Sequence, residues 1–243
     1  MCGRFTMTRR DRTELAAMLG VPESELGDYT PRFNIAPTQP YFVLKTKYEN
    51  REAIPATWGL VNSWAKDASR ASMCINAKAE TVDKLPSFRE AFEKRRCVVP
   101  ADGFYEWRGP KARREPLWIH PADDALLLFA GLFEAWQSQP GEWQTTFTII
   151  TTAANRTLEP IHSRMPVILD ETGAAHERAQ AQTFIQFTHQ NQTTVGGHSR
   201  ALKLDPQRAV ERELKWPLLR LTHRRSTSAP PHSHPNLRPS GLL

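Results

Sequence analysis

The sequence predicts an α+β fold: a curved, mostly antiparallel, barrel-like sheet with a few flanking helices. Apolar, β-rich runs recur at residues 41–46, 53–60, 97–100, 103–107, 117–120, 125–136, 146–152 and 166–169. Polar residues, glycines or prolines break the chain between them. Only three short segments carry helical signals, and many strands interrupted by a few helices imply the α+β class. A hydrophobic content of 40% over 243 residues is ample for a core.

The elements follow in order. Residues 9–19 read as a helix with Leu15, Met18 and Leu19 on one side, and Gly20 stops it. Residues 31–40 hold three prolines and read as loop. Two strands follow, at 41–46 and 53–60, and then a polar loop at 63–72. Ser87-Phe88-Arg89-Glu90 has the form of a capping box, opening a helix that runs to about Arg95. The basic residues at its end suit the negative pole of the helix dipole. After the central strands, Asn155-Arg156-Thr157-Leu158-Glu159 makes one helical turn, and a last strand lies at 166–169.

Past about Asp170 the character changes. Gln, His, Arg, Ser, Thr and Pro dominate, six of the eight histidines fall after position 171, and strand alternation stops. The expected division is a folded domain over 1–171 and a divergent, basic, partly disordered segment over 172–243. His223, His232 and His234 lack an accompanying acid or cysteine, so the tract predicts no metal site.

Charge sharpens this division. The net charge is +6, but residues 200–243 hold nine Lys/Arg against three Asp/Glu, and residues 1–199 balance at 23 of each. A nucleic-acid face on the body must therefore come from how charges are arranged, not from their sum. Cys2, Cys74 and Cys97 are odd in number and widely spaced, which predicts a reducing compartment, the cytoplasm. No stretch approaches the ~18 apolar residues of a membrane span.

Four segments hold reactive groups. The chain starts Met1-Cys2-Gly3-Arg4-Phe5, so loss of one methionine would expose an aminothiol. Its amine, with a reference pKa of ~7.7–8.0, can form a Schiff base with an aldehyde, and its thiolate can close a five-membered thiazolidine. A cysteine there is otherwise a small buried residue. The second segment is Asn76-Ala77-Lys78-Ala79-Glu80-Thr81, preceded by the aromatic and basic Trp58-Gly59-Leu60 and Trp64-Ala65-Lys66. In the third, Gly103-Phe104-Tyr105-Glu106-Trp107, Glu106 shares a strand face with Phe104 by the period of two. Such a carboxylate is either at an exposed edge or, desolvated among aromatics, a base useful near neutral pH. The fourth, Pro160-Ile161-His162-Ser163-Arg164-Met165-Pro166, presents His162 from a stiff loop, as a catalytic or merely structural histidine.

With Arg32-Phe33-Asn34-Ile35-Ala36-Pro37-Thr38, these segments run in one order over residues 2 to about 170 and resemble the SOS-response-associated peptidase (SRAP) family, abasic-site processing proteins that crosslink themselves to DNA. The chain departs from the family pattern at Asn62, where proline is usual, and at Lys78, where arginine is usual. The family's closing strand is not recognisable after Thr172. The resemblance implies a monomer, free of cofactors, that senses abasic sites in single-stranded DNA and shields them covalently through Cys2. It further implies His162 as the acid/base that opens the sugar ring, Glu106 as the proton carrier at the amine, and Asn76 as the group orienting the aldehyde. Arg4, Lys78 and Arg164 are then candidate phosphate contacts, and Trp64 a base-stacking residue unless it is ordinary core. A different class of reading is a thiol autopeptidase cutting the Met1–Cys2 bond. A third is an inactive relic with a shortened fold.

Overall fold

The computed structural model describes residues 2–47, 50–169 and 202–205. In chain order the elements are β1 (Phe5–Met7), α1 (Arg12–Leu19), β2 (Arg32–Ile35), β3 (Pro40–Lys47), β4 (Asn50–Trp58), β5 (Asn76–Lys78), α2 (Arg89–Lys94), β6 (Arg96–Ala101) and β7 (Gly103–Arg108). They continue with β8 (Glu115–Pro121), β9 (Leu127–Gln139), β10 (Glu142–Ala153), β11 (Arg164–Pro166), β12 (Ile168–Leu169) and β13 (Leu202–Asp205). Among the described residues, no helix is long and apolar enough to cross a membrane.

The fold class expected from the sequence is the one observed. Strands β10, β4, β3, β6 and β9 pair in that order, and β9 pairs back onto β10, so the ring closes. Every contact in the ring is antiparallel except β10–β4. Closure rests on a short contact, Thr146↔Thr57 and Phe147↔Trp58, which leaves part of β10 open to further pairing. Strands β5 and β11 attach to β10, and β12 attaches to β9. A second sheet, in the order β13-β8-β7-β1-β2, is antiparallel throughout.

Aromatic rings fill the space between them. Phe5 from the second sheet meets Tyr41 at 5.0 Å, Trp58 at 5.1 Å and Phe129 at 6.3 Å between centroids. Phe104 adds an edge contact to Phe129 at 5.8 Å. These rings are almost fully buried, and truncating one to alanine in such a core costs about 3–5 kcal/mol.

Local departures from the sequence expectations have physical causes. Helix α1 starts three residues later than its pattern suggests, because the Asp11 side chain accepts from Glu14 N and caps it there. Its buried side is Leu15, Ala16 and Leu19, and Met18 is 42% exposed. Gly20 ends it in the left-handed region at φ 67°, as expected of a terminal glycine. The expected loop at 31–40 contains strand β2, since its prolines lie at or outside the strand ends and Ile35 can pair with Phe5 and bury its side chain.

The capping box at Ser87 does not form. Phe88 occupies the cap position with no side-chain bond, and Arg89 N donates instead to Leu85 O at 2.9 Å. Residues 155–159 make hydrogen-bonded turns without becoming a helix. The expected strand at 166–169 divides at Val167, whose N–H donates to Ile150 in β10 and whose carbonyl accepts from Ala130 in β9. Finally, β13 lies past residue 171, where strand alternation stops in the sequence, and it pairs with β8 from Leu202↔Pro121 to Asp205↔Trp118. The histidine-rich tract lies outside the described residues.

Candidate functional site

Two strands of the second sheet bring the first pair of reactive groups together. Strand β1 starts just after Arg4, and its pairing Phe5↔Phe104 and Thr6↔Gly103 places Gly3 opposite Glu106 when the register is extended. The bond from Tyr105 N to Arg4 O, at 2.9 Å, continues that register. Asp102 secures β1 from the other end: its carboxylate accepts from the Thr6 hydroxyl and, at 2.6 Å each, from Thr8 N and the Thr8 hydroxyl. Gly103 must be glycine here, because a Cβ would lie 2.2 Å from Trp118 Nε1, which donates to Thr6 Oγ1 at 3.1 Å.

Cys2 is fully buried, and its thiol donates weakly to Arg4 O at 3.9 Å. Burial, and then the carboxylate of Glu106, push the thiol far above its ordinary value. Glu106 is itself buried on the face it shares with Phe104. Desolvation raises its carboxyl, against a downward pull from His162. The expectation of a desolvated glutamate among aromatics is therefore what the structure shows.

The other two groups hang from β10. Asn76 opens β5 opposite Ile149, and its Nδ2 donates to Cys2 O at 2.9 Å. Asn76 Oδ1 is buried without a hydrogen-bond partner among the described residues, an acceptor available to an incoming hydroxyl. His162 lies at the end of the turn after β10, its N–H donating to Leu158 O at 2.9 Å. Its Nδ1 accepts from Arg164 N at 3.0 Å, which puts the ring proton on Nε2. Cys2, Asn76, Glu106 and His162 thus converge where the two sheets meet.

The candidate DNA contacts are more varied. Arg4 is half-buried and donates to Gly3 O at 2.6 Å; burial lowers its guanidinium below the ordinary value. Lys78 is exposed. Arg164 is already engaged, in a two-pronged pair with Glu80 at 2.6 and 2.9 Å and a bond to Thr151 O at 2.6 Å. Trp64 is 65% exposed, so its reading as core falls away. It borders a cleft of about 240 Å³ with Leu60, Asn62, Lys66, Arg70 and Cys74. None of the four reactive groups lines that cleft, although Cys74 is two residues from Asn76. Gly59, at φ 126°, makes the turn into this loop, where a Cβ would come within 2.7 Å of Ala71 O.

Asp102 and Glu80 had no role in the sequence reading, although Glu80 sits inside a quoted segment and Asp102 directly precedes one. The available signal was an acid in an apolar stretch, Val99-Pro100-Ala101-Asp102-Gly103-Phe104, and an acid beside a basic residue in Lys78-Ala79-Glu80. Among the described residues no group of three or more His, Cys, Asp or Glu could hold a metal.

Comparison with known proteins gives this arrangement a context. Residues 1–204 match the SOS response associated peptidase (SRAP) family. The abasic site processing protein YoqW of Bacillus subtilis is 40% identical over 177 residues, 70% of this chain and 77% of its own length. The mouse abasic site processing protein HMCES is 33% identical over 180 residues, 58% of this chain and 51% of its own. A crystal structure of a protein from Bacteroides thetaiotaomicron superposes with a TM-score of 0.66 at 26% identity, covering 77% of this chain and 86% of that one. Another, from Bordetella bronchiseptica, gives 0.68 at 23% identity over 84% and 98%, a likeness of fold.

Proposed function

This chain belongs to the SOS response associated peptidase family, and we propose that it processes abasic sites by capturing their sugar aldehyde covalently on Cys2. The substrate is single-stranded DNA, and loss of Met1 frees the amine. That amine adds to the aldehyde carbon, and the carbinolamine loses water to give an imine. The thiol then adds across the C=N bond, sulfur to carbon and proton to nitrogen, and closes a thiazolidine. One water leaves and no redox step is needed.

The observation that carries this reading is the seat of Cys2: its carbonyl is held by Asn76 and its thiol feels the buried Glu106. A thiol pushed up by burial stays protonated, so the amine attacks first, as imine formation requires. Glu106, with its carboxyl raised by burial, gives and takes protons at the amine and the carbinolamine. Asn76 Oδ1 accepts from a sugar hydroxyl and so holds the aldehyde in line. His162 directs its Nε2–H at the ring oxygen of the closed sugar. Arg4 and Lys78 contact phosphates, joined by Arg164 where its outer edge is reached, and these position the strand without reading sequence. Trp64 stacks on a base.

Intact-mass spectrometry after incubation with single-stranded DNA bearing one abasic site tests the proposal. Protein beginning at Cys2 should gain the mass of the oligonucleotide less one water, in an adduct that survives denaturation. Equal yield from protein retaining Met1 would overturn the mechanism, because a blocked amine forms no imine.

A further inference from the structure

We propose that Glu80 is a positioning residue for opening the abasic sugar, acting through Arg164 to hold the His162 imidazole with Nε2–H toward the substrate. The inference rests on the function proposed above and adds to it a residue that acts without touching the reacting atoms.

The argument starts at the ring. A nitrogen that accepts a hydrogen bond carries no proton, so the bond from Arg164 N to His162 Nδ1, at 3.0 Å, selects the Nε2–H tautomer. Opening the hemiacetal moves the C1′ hydroxyl proton to solvent, breaks the bond between C1′ and the ring oxygen, and puts a solvent proton on that oxygen. An Nε2–H aimed at the ring oxygen steadies the negative charge that builds there. The placement of one backbone N–H therefore decides which face of the imidazole the sugar meets.

That N–H is only as fixed as Arg164. The residue opens β11, a strand of three residues, directly after the turn that carries His162. Its side chain is 17% exposed and reaches across two neighbours. The guanidinium meets Glu80 through both terminal nitrogens and also donates to Thr151 O at 2.6 Å in β10. Glu80 stands two residues past Lys78, the end of β5, whose first residue is Asn76. One clasp therefore ties the His162 turn, β10 and the strand that holds Cys2 in place.

Its chemistry suits a fixed contact. The pair has the parallel two-bond geometry that a guanidinium makes with a carboxylate, stronger and more directional than a single contact. Hydrogen bonding from Arg164 holds the Glu80 carboxyl below the usual glutamate range, so the pair stays ionised through neutral pH. The Arg164 fork is turned inward onto an acid and a carbonyl, which leaves only its outer edge to a phosphate.

The test uses two single-stranded oligonucleotides of one sequence: one with a natural abasic site, the other with an acyclic aldehyde that cannot close to a hemiacetal. Crosslinking rates are measured at saturating DNA, so that binding does not enter. Glu80→Gln should slow the natural site by about tenfold or more, since a misplacement near 1 Å can cost on the order of 10²-fold. The acyclic aldehyde should react near the wild-type rate. Arg164→Lys, which keeps the charge and loses the fork, should change the ratio in the same direction, so a poorly folded Glu80 variant does not remove the test. In a His162→Ala background, Glu80→Gln should have no further effect on the ratio.

An unchanged ratio in both variants, equal slowing of both substrates, or additivity with His162→Ala overturns the inference and leaves the proposed function standing. A wild type that forms no adduct with either oligonucleotide overturns both.

Discussion

Removing the Asp102 carboxylate tests how firmly β1, and with it Cys2, is fixed. The group is buried and accepts from the Thr6 hydroxyl, from Thr8 N and from the Thr8 hydroxyl. Hydrogen bonds to a charged group contribute about 1.5–3 kcal/mol each. Asp102→Ala does not cost their sum. The Thr6 hydroxyl can turn to Gly103 O, 3.2 Å away, and half-buried Thr8 can turn its hydroxyl to water. The Thr8 N–H loses its charged acceptor, and the expected loss is about 2–4 kcal/mol. Asp102→Asn should cost only about 1–2 kcal/mol, because its Oδ1 can accept from Thr8 while its Nδ2 donates to Thr6. Urea unfolding gives both values from the shift in midpoint at constant slope. Hydrogen exchange at β1 amides should accelerate in the alanine variant. If Asp102→Ala lies within about 1 kcal/mol of wild type, or if asparagine costs as much as alanine, the carboxylate does not hold β1 and the reasoning fails.

Two further outcomes follow from the same site. Glu106→Gln should slow crosslinking yet stabilise the fold near pH 7.5. Burial raises the carboxyl in the folded state, so its contribution to stability is full below the ordinary glutamate range, near pH ~4.3, and is lost as pH rises through the raised value. The gap in urea midpoint between variant and wild type should therefore close on acidification, and a gap independent of pH would refute the assignment. Cys2→Ser should still form an imine that borohydride traps, but no adduct should survive denaturation without that reduction. A stable unreduced adduct would show that the thiol does not close the ring.

Periodicity and turn chemistry made most of the fold legible, and the failures share a cause. Strand runs at 97–100, 103–107 and 146–152 lie inside β6, β7 and β10 because alternation and β-branched residues act locally. Strand β2 was not legible, since its case rests on Phe5↔Ile35, a contact across thirty positions of sequence. The capping box failed for a similar reason: Phe88 gains more from burial than Ser87 gains from a cap, and a propensity rule does not weigh the two. Strand β13 is paired by β8, and its Leu-Lys-Leu-Asp is too short to declare itself.

The candidate site was legible as a set of groups but not as a geometry. Cys2, Asn76, Glu106 and His162 could be named from their segments, whereas the Arg164–Glu80 pair, the Asp102 clamp and the tautomer of His162 depend on distances that only the fold sets. Those distances have a definite origin. Asn76 and His162 are carried by strands and turns attached to β10, a wall of the closed barrel, and Cys2 and Glu106 by β1 and β7 of the second sheet. The spacing between amine and imidazole is therefore the spacing between two sheets. What sets it is the aromatic layer in which Phe5 meets Trp58 and both Phe5 and Phe104 meet Phe129. Interiors packed to this density transmit a change of even one methylene. The rings of Phe5 and Phe104 thus serve the candidate site as much as the core: they fix how far Cys2 and Glu106 stand from Asn76 and His162.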